Sequence, residues 1–200
     1  MNDRIDYTLS YVAYLDVLGF TEMVMNEDKK SKKRLASYFD RVDGLTAYFE
    51  KLPLKDKVKI ITISDSIILS LPINSEFENP FDNLKQLCVA VGIFQCALAK
   101  ENFWLRGGIS YGNSFVDLAK VQVIGPAYIN AYKLEENHAK WPRVILDPAL
   151  IQFHMFKCAE NFIDTINNHP VNNEICDGHW GGNILFNWRY SNGENVGTIE

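Results

Sequence analysis

The chain has 200 residues, 47% hydrophobic and 12% aromatic, with no flexible linker in its middle, so one domain over 1–200 with one substantial core is expected. A formal charge of −5 and a pI near 5.4 speak against nonspecific nucleic-acid binding. No run approaches the roughly 18–20 apolar residues of a membrane span, and the polar start, Met1 to Asp6, lacks a signal peptide's apolar segment, so the cytoplasm is expected and neither nucleic acid nor membrane is an expected partner.

The apolar run Tyr11 to Leu15 ends in Asp16, which predicts a strand over about 8–16 that delivers a carboxylate at its end. A helical region from Gly19 to Phe49 follows, interrupted near Asn26 to Lys29, and Pro53 closes it. The basic run from Lys29 to Arg34 is the solvated start of its second part, since Leu35, Tyr38, Phe39 and Val42 continue it at helical spacing. Lys57–Ser64 and Ser66–Leu71 are isoleucine-rich strands joined at Asp65, a hairpin with a carboxylate at its tip; Pro72 ends it.

A helix over about Pro80–Lys100 presents Phe81, Leu84, Leu87, Cys88, Val91 and Phe94 as a core-facing stripe. Phe103–Tyr111 is a strand whose Gly107 and Gly108 imply close approach of another backbone, and Gly112-Asn113 predicts a tight turn into Ser114–Val116. Gly125-Pro126 opens a helix to about Asn137, Arg143–Leu146 is a short strand, a helix begins at Pro148, and Ile184–Trp188 is a last strand after the glycine pairs of the tail. Cys88, Cys96, Cys158 and Cys176 show no paired spacing and are expected to be buried free thiols; His138, His154, His169 and His179 are too scattered for a metal site.

This order predicts an α+β fold: a ferredoxin-like core over about 8–146, a largely antiparallel sheet with helices packed on it, and a C-terminal extension over 147–200. Such a core can set the first strand beside the hairpin and so bring Asp16 to Asp65. Two hard oxygen ligands from adjacent strand ends suit Mg²⁺ or Mn²⁺. Taken singly, Asp16 also fits a strand-end or helix-capping aspartate, and Asp65 an ordinary turn residue.

Four segments in this order resemble the class III nucleotidyl cyclase family: Leu15-Asp-Val-Leu-Gly-Phe20, Ile63-Ser-Asp65, Leu105-Arg-Gly-Gly-Ile-Ser-Tyr-Gly112 and Gly125-Pro-Ala-Tyr-Ile-Asn-Ala-Tyr-Lys-Leu-Glu135. The likeness spans about Tyr11 to Leu146, and the short length and base-pocket positions make it closest to the stand-alone uridylate and cytidylate cyclases of bacterial Pycsar antiphage systems. The resemblance implies an enzyme that turns UTP or CTP into the 3′,5′-cyclic monophosphate and pyrophosphate, the product being read by a separate effector protein. It implies two divalent metals per site, Mn²⁺ or Mg²⁺, on Asp16 and Asp65 with help from the Val17 carbonyl, a pairing suited to activating a 3′-hydroxyl and neutralising a triphosphate. The amides of Leu18, Gly19 and Phe20 are then the triphosphate loop.

Lys133 stands where purine cyclases usually carry a triphosphate-steadying arginine, keeping the charge without bidentate geometry; a solvated helical lysine fits the position equally well. The family's ribose-orienting asparagine falls on Ile129, one residue before Asn130. Ile61 replaces the Lys or Glu that reads a purine, and Gln122 falls on the second base-reading position. Lys59, on the strand face of Ile61, and Arg106 add donors, which favours uracil with its two carbonyls over cytosine. Arg106 also fits a buried structural arginine. The resemblance further implies a head-to-tail homodimer, each site taking its metal aspartates from one protomer and its base and phosphate readers from the other. Two rival readings are a degenerate nucleotide-binding module that regulates a partner, and a purine cyclase with a rearranged pocket.

Overall fold

A computed structural model describes residues 5–49, 58–73, 80–167, 186–191 and 194–199. The elements are β1 (Thr8–Val17), α1 (Phe20–Met25), α2 (Lys29–Phe49), β2 (Lys59–Ile63), β3 (Ser66–Pro72), α3 (Pro80–Ala99), β4 (Leu105–Asp117), β5 (Gln122–Ile124), α4 (Pro126–His138), β6 (Val144–Leu146), α5 (Ala149–Phe153), α6 (Ala159–Asn167), β7 (Phe186–Ser191) and β8 (Glu194–Ile199). They form an α+β fold on an eight-stranded sheet of order β2-β3-β1-β4-β6-β8-β7, with β5 paired to β4. Every pairing is antiparallel except β4 with β6. The segment β2-β3-β1-β4 is the predicted ferredoxin-like arrangement, which puts β1 next to the β2–β3 hairpin.

Side chains alternate across a strand, so β1 serves two cores. Tyr11, Ala13, Leu15 and Val17 enter the larger one, with Ile67, Leu69 and Leu71 of β3, Ile109 of β4 and the buried side of α2. Val12 and Tyr14 join Ile61 and Ile68 on the opposite face, beneath Ala127 and Ala131 of α4. A strand covered on both faces shows a continuous apolar run instead of alternation, which is the Tyr11–Leu15 pattern. In α3 the stripe is wider than the sequence predicts: Asn83, Lys85, Gln86 and Ala90 are buried as well, because packing surrounds the helix almost completely.

Three expectations are corrected. No turn occurs at Gly112-Asn113; β4 runs on to Asp117, and Gly112 pairs with Ser10 in a ladder that continues to Thr8 opposite Ser114. Gly112 is needed there for its φ of 142° and for the approach of Ala127, whose nitrogen would lie 3.4 Å from an added Cβ. The chain turns at Leu118–Val121 instead. The predicted single last strand is a hairpin, β7–β8, which extends the sheet from β6. Of the expected buried thiols, Cys88 is buried, with its pKa pushed up by desolvation to about 12, whereas Cys96 and Cys158 are exposed. Pro53, Cys176, His169, His179 and the tail glycines lie outside the described residues.

Candidate active site

Asp16 is the penultimate residue of β1 and is paired in register with Ser66 of β3 on one side and Arg106 of β4 on the other. Asp65 precedes Ser66 in the two-residue turn between β2 and β3, where Ser64 adopts a left-handed φ of 57°. Tyr38 of α2 holds this turn by donating to the Ser64 carbonyl at 3.4 Å, and the Tyr14 and Ser66 hydroxyls share a hydrogen bond of 2.8 Å beneath it. This register sets the Asp65 turn beside the end of β1, close enough for the charge of Asp65 to act on Asp16. Burial raises the pKa of Asp16 above the ordinary carboxylate range; Arg106 lowers it and the facing charge of Asp65 raises it further.

Arg106 reaches directly across the β1–β4 ladder, its Nε 3.1 Å and one terminal nitrogen 3.0 Å from Oδ2 of Asp16. Glu135 of α4 approaches the same guanidinium, Oε1 lying 2.7 Å from Nε. The single Nε–H points at Asp16, so Oε1 has no hydrogen bond and is held by charge alone. Glu135 is 4% exposed, and burial raises its pKa against the lowering effect of Arg106. Gly108 permits this approach, since a Cβ there would lie 2.5 Å from the Ala131 carbonyl oxygen of α4.

Val17 closes β1 with its side chain buried. The Leu18 amide, expected at a triphosphate, donates to the Trp104 carbonyl at 2.9 Å and is already committed. Gly19 (φ 76°) lines a cleft of about 430 Å³ with Leu18, Glu22, Lys30, Ser31 and Arg34. The Phe20 ring packs against Tyr38 and Phe39, which leaves its backbone to any ligand. The basic run is the exposed start of α2, capped by Asp28, whose Oδ1 accepts from the Ser31 amide at 2.7 Å. Arg34 is engaged by the Asn102 carbonyl and the Phe103 ring.

The remaining candidates do not converge within the chain. Lys133 is exposed and lies about 200° around α4 from Glu135, on the outer face with Ile129 and Asn130. Lys59 lines a polar hollow of about 230 Å³ with Ser10, Ser70 and Ser114, its Nζ 3.4 Å from the Val116 carbonyl. Gln122 is exposed beside a separate, more apolar hollow of about 530 Å³, lined by Ile63, Phe115 and Tyr128 among others. Ile61, 4% exposed, is packed under α4.

No protein-family profile and no curated protein sequence matches the chain. Solved structures do. The adenylyl cyclase CyaB from Pseudomonas aeruginosa superposes with a TM-score of 0.57 at 10% identity, over 98% of this chain and 96% of that one. The dimeric guanylyl cyclase domain of the RhoGC fusion protein from Blastocladiella emersonii gives 0.58 at 13% identity, over 96% and 94%. A class III adenylyl cyclase-like ATP-binding protein from P. aeruginosa gives 0.61 at 12% identity, over 81% of this chain but 40% of that one. The chain has the class III cyclase fold.

On that fold the carboxylate pair fits a divalent cation. Two like charges converge beside the Arg106 guanidinium, and both Arg106 contacts to Asp16 fall on its Oδ2, leaving Oδ1 for a metal. No group of three or more His, Cys, Asp or Glu side chains arranged to hold a metal ion occurs among the described residues, so a cation bound by Asp16 and Asp65 would complete its shell with other oxygens. Sequence reasoning gave no role to Glu135, Tyr14, Ser66 or Tyr38. Glu135 carried a signal, a carboxylate eight residues after Ala127 on one helix face, but its partner depends on strand register.

Proposed function

We propose that this chain is a nucleotidyl cyclase, one domain working in the cytoplasm as a head-to-tail homodimer with two composite sites. Its substrate is UTP in preference to CTP, and its products are the 3′,5′-cyclic monophosphate and pyrophosphate. In the bacterial antiphage role that the sequence resemblance implies, a separate effector reads the cyclic product. The observation that carries this reading is the convergence of Asp16 and Asp65 at one end of the sheet of a class III cyclase fold.

Asp16, Asp65 and the Val17 carbonyl would hold two Mn²⁺ or Mg²⁺ ions. Such ions supply Lewis acidity, lowering the pKa of the ribose 3′-hydroxyl and offsetting the triphosphate charge. The protein's own share is placement. The Gly19 and Phe20 amides face the triphosphate, and the exposed Lys133 of the opposing protomer adds a positive charge where the leaving pyrophosphate gathers negative charge. Ile61 offers a base no charged purine reader, and Lys59, Gln122 and Arg106 are the donors available for pyrimidine carbonyls. Arg106 is already engaged by two carboxylates, so base reading falls to Lys59 and Gln122.

The test is incubation of the purified chain with ATP, GTP, CTP and UTP in turn, with Mn²⁺, and resolution of products by mass and chromatographic standards. Cyclic UMP, with less cyclic CMP, is the expected result. A cyclic purine product would keep the enzyme and overturn the base assignment, in line with the adenylyl and guanylyl cyclases that share the fold. A second reading, a nucleotide-binding regulatory module, is favoured by the fold's occurrence in an adenylyl cyclase-like ATP-binding protein and by Ile129 at the ribose position. No product from a folded dimer would put that reading first.

A further inference from the structure

We propose that Arg106 and Glu135 form a positioning pair for the Asp16 carboxylate, Arg106 fixing one oxygen and Glu135 offsetting the guanidinium charge so that the other oxygen can still take a divalent cation. The inference rests on the metal reading given above. Arg106 spends Nε and a terminal nitrogen on the same atom, Oδ2 of Asp16. That grip sets the carboxylate plane, but a guanidinium left uncompensated would also repel an incoming cation.

Glu135 answers that repulsion. Its Oε1 lies 2.7 Å from Nε yet receives no hydrogen bond, and the side chain is almost wholly buried. A buried carboxylate oxygen without a donor is costly, and here the adjacent guanidinium charge of Arg106 offsets that cost. The fold provides for it: Gly108 lets α4 settle on β4 with Ala127, Ala131 and Glu135 all turned toward the sheet. Neither residue of the pair touches substrate; Glu135 acts through Arg106, and Arg106 through Asp16.

The experiment measures Mn²⁺ alone, by the paramagnetic resonance signal of the free ion, with the full chain and no nucleotide. Circular dichroism and melting temperature accompany each variant. Glu135→Gln keeps the shape and removes the charge, and is expected to weaken Mn²⁺ binding roughly five- to tenfold. Glu135→Asp, which retains the charge, should bind within about twofold of the original chain. Arg106→Gln combined with Glu135→Gln removes both charges and should recover most of the loss.

A purely structural role would lower the melting temperature of these variants without this pattern of loss, retention and recovery in affinity. Unchanged binding in Glu135→Gln, while Asp65→Asn removes the Mn²⁺ site, would overturn the pair and leave the metal reading standing. If the double variant does not fold, the contrast between Gln and Asp at position 135 decides: equal affinities overturn the proposal. If the original chain shows no Mn²⁺ binding that Asp65→Asn abolishes, the metal reading fails and the pair falls with it.

Discussion

The end of β1 and the outer face of α4 belong to the same cyclase fold but are built in opposite ways. At the first, Asp16, Asp65 and Arg106 are half-buried around the buried Glu135 and tied together by contacts within the chain. At the second, Ile129, Asn130 and Lys133 point outward, beside exposed Val121, Gln122 and Ile124 of the β5 hairpin. The first needs nothing from outside to fix its geometry. A site that uses Lys133 together with Asp16 has to take one of them from another copy of the chain, because the helix that carries Lys133 turns it away from its own sheet. Exposed apolar side chains such as Val121, Ile124 and Ile129 suit a covered surface better than an open one.

The sharpest way to break this contrast is at the carboxylates. Asp65→Ala and Asp16→Ala are each expected to lower turnover by about a thousandfold or more, with the secondary structure retained. Asp65→Ala should in addition raise the melting temperature. The charge of Asp65 disfavours the ionised form of Asp16, so its removal should stabilise the fold by a few tenths of a kcal/mol to about 1 kcal/mol at neutral pH. Normal turnover in either variant would end the two-metal assignment, and a lower melting temperature for Asp65→Ala would mean that the turn contributes more than its charge costs.

Mixing separates the two regions directly. If they meet across a head-to-tail dimer, Asp65→Ala and Lys133→Ala chains combined in equal amounts form heterodimers that each hold one intact site. Activity should then return to about a quarter of the original value, since half the dimers carry one good site of two. No recovery from freely exchanging dimers would place both halves in the same protomer. Lys133→Ala on its own should lower kcat by about ten- to a hundredfold and change stability by less than about 0.5 kcal/mol, because the side chain is exposed. An unchanged rate would make Lys133 an ordinary surface lysine.

The first region was largely legible in the sequence and the second was not, for a physical reason. Asp16 and Asp65 stand at the ends of strongly apolar strands, and period and turn chemistry locate such ends well. What joins them to Glu135 is register, ten residues of β1 laid against β4, and a glycine-asparagine pair that suggests a turn hides that ladder. Once Gly112 is seen to pair with Ser10, Arg106 must lie opposite Asp16, and a guanidinium open to a base becomes one held by carboxylates. Lys59 and Gln122 sit on strands separated by chain order in a way no local pattern reveals, and the structure gives each its own hollow.

The last expected effect concerns neither region, and it tells their losses apart from general softening. His154, on the other face of β1, is packed among Tyr11, Phe81 and Phe153, with Nε2 3.1 Å from the Tyr11 hydroxyl oxygen, and burial pushes its pKa down to about 4. In the unfolded chain the ring takes a proton near pH 6.5, whereas the folded ring resists until about pH 4. Stability is therefore fully present above about pH 6.5 and falls as the pH drops toward 4, by about 1–2 kcal/mol for a ring partly open to water. Chemical denaturation at a series of pH values measures it, and His154→Phe should flatten the curve in this window. If activity declines in step with stability below pH 6.5 and that decline disappears in His154→Phe, acid inactivation begins in the aromatic core behind β1; if activity declines equally in both chains, it begins at the carboxylates.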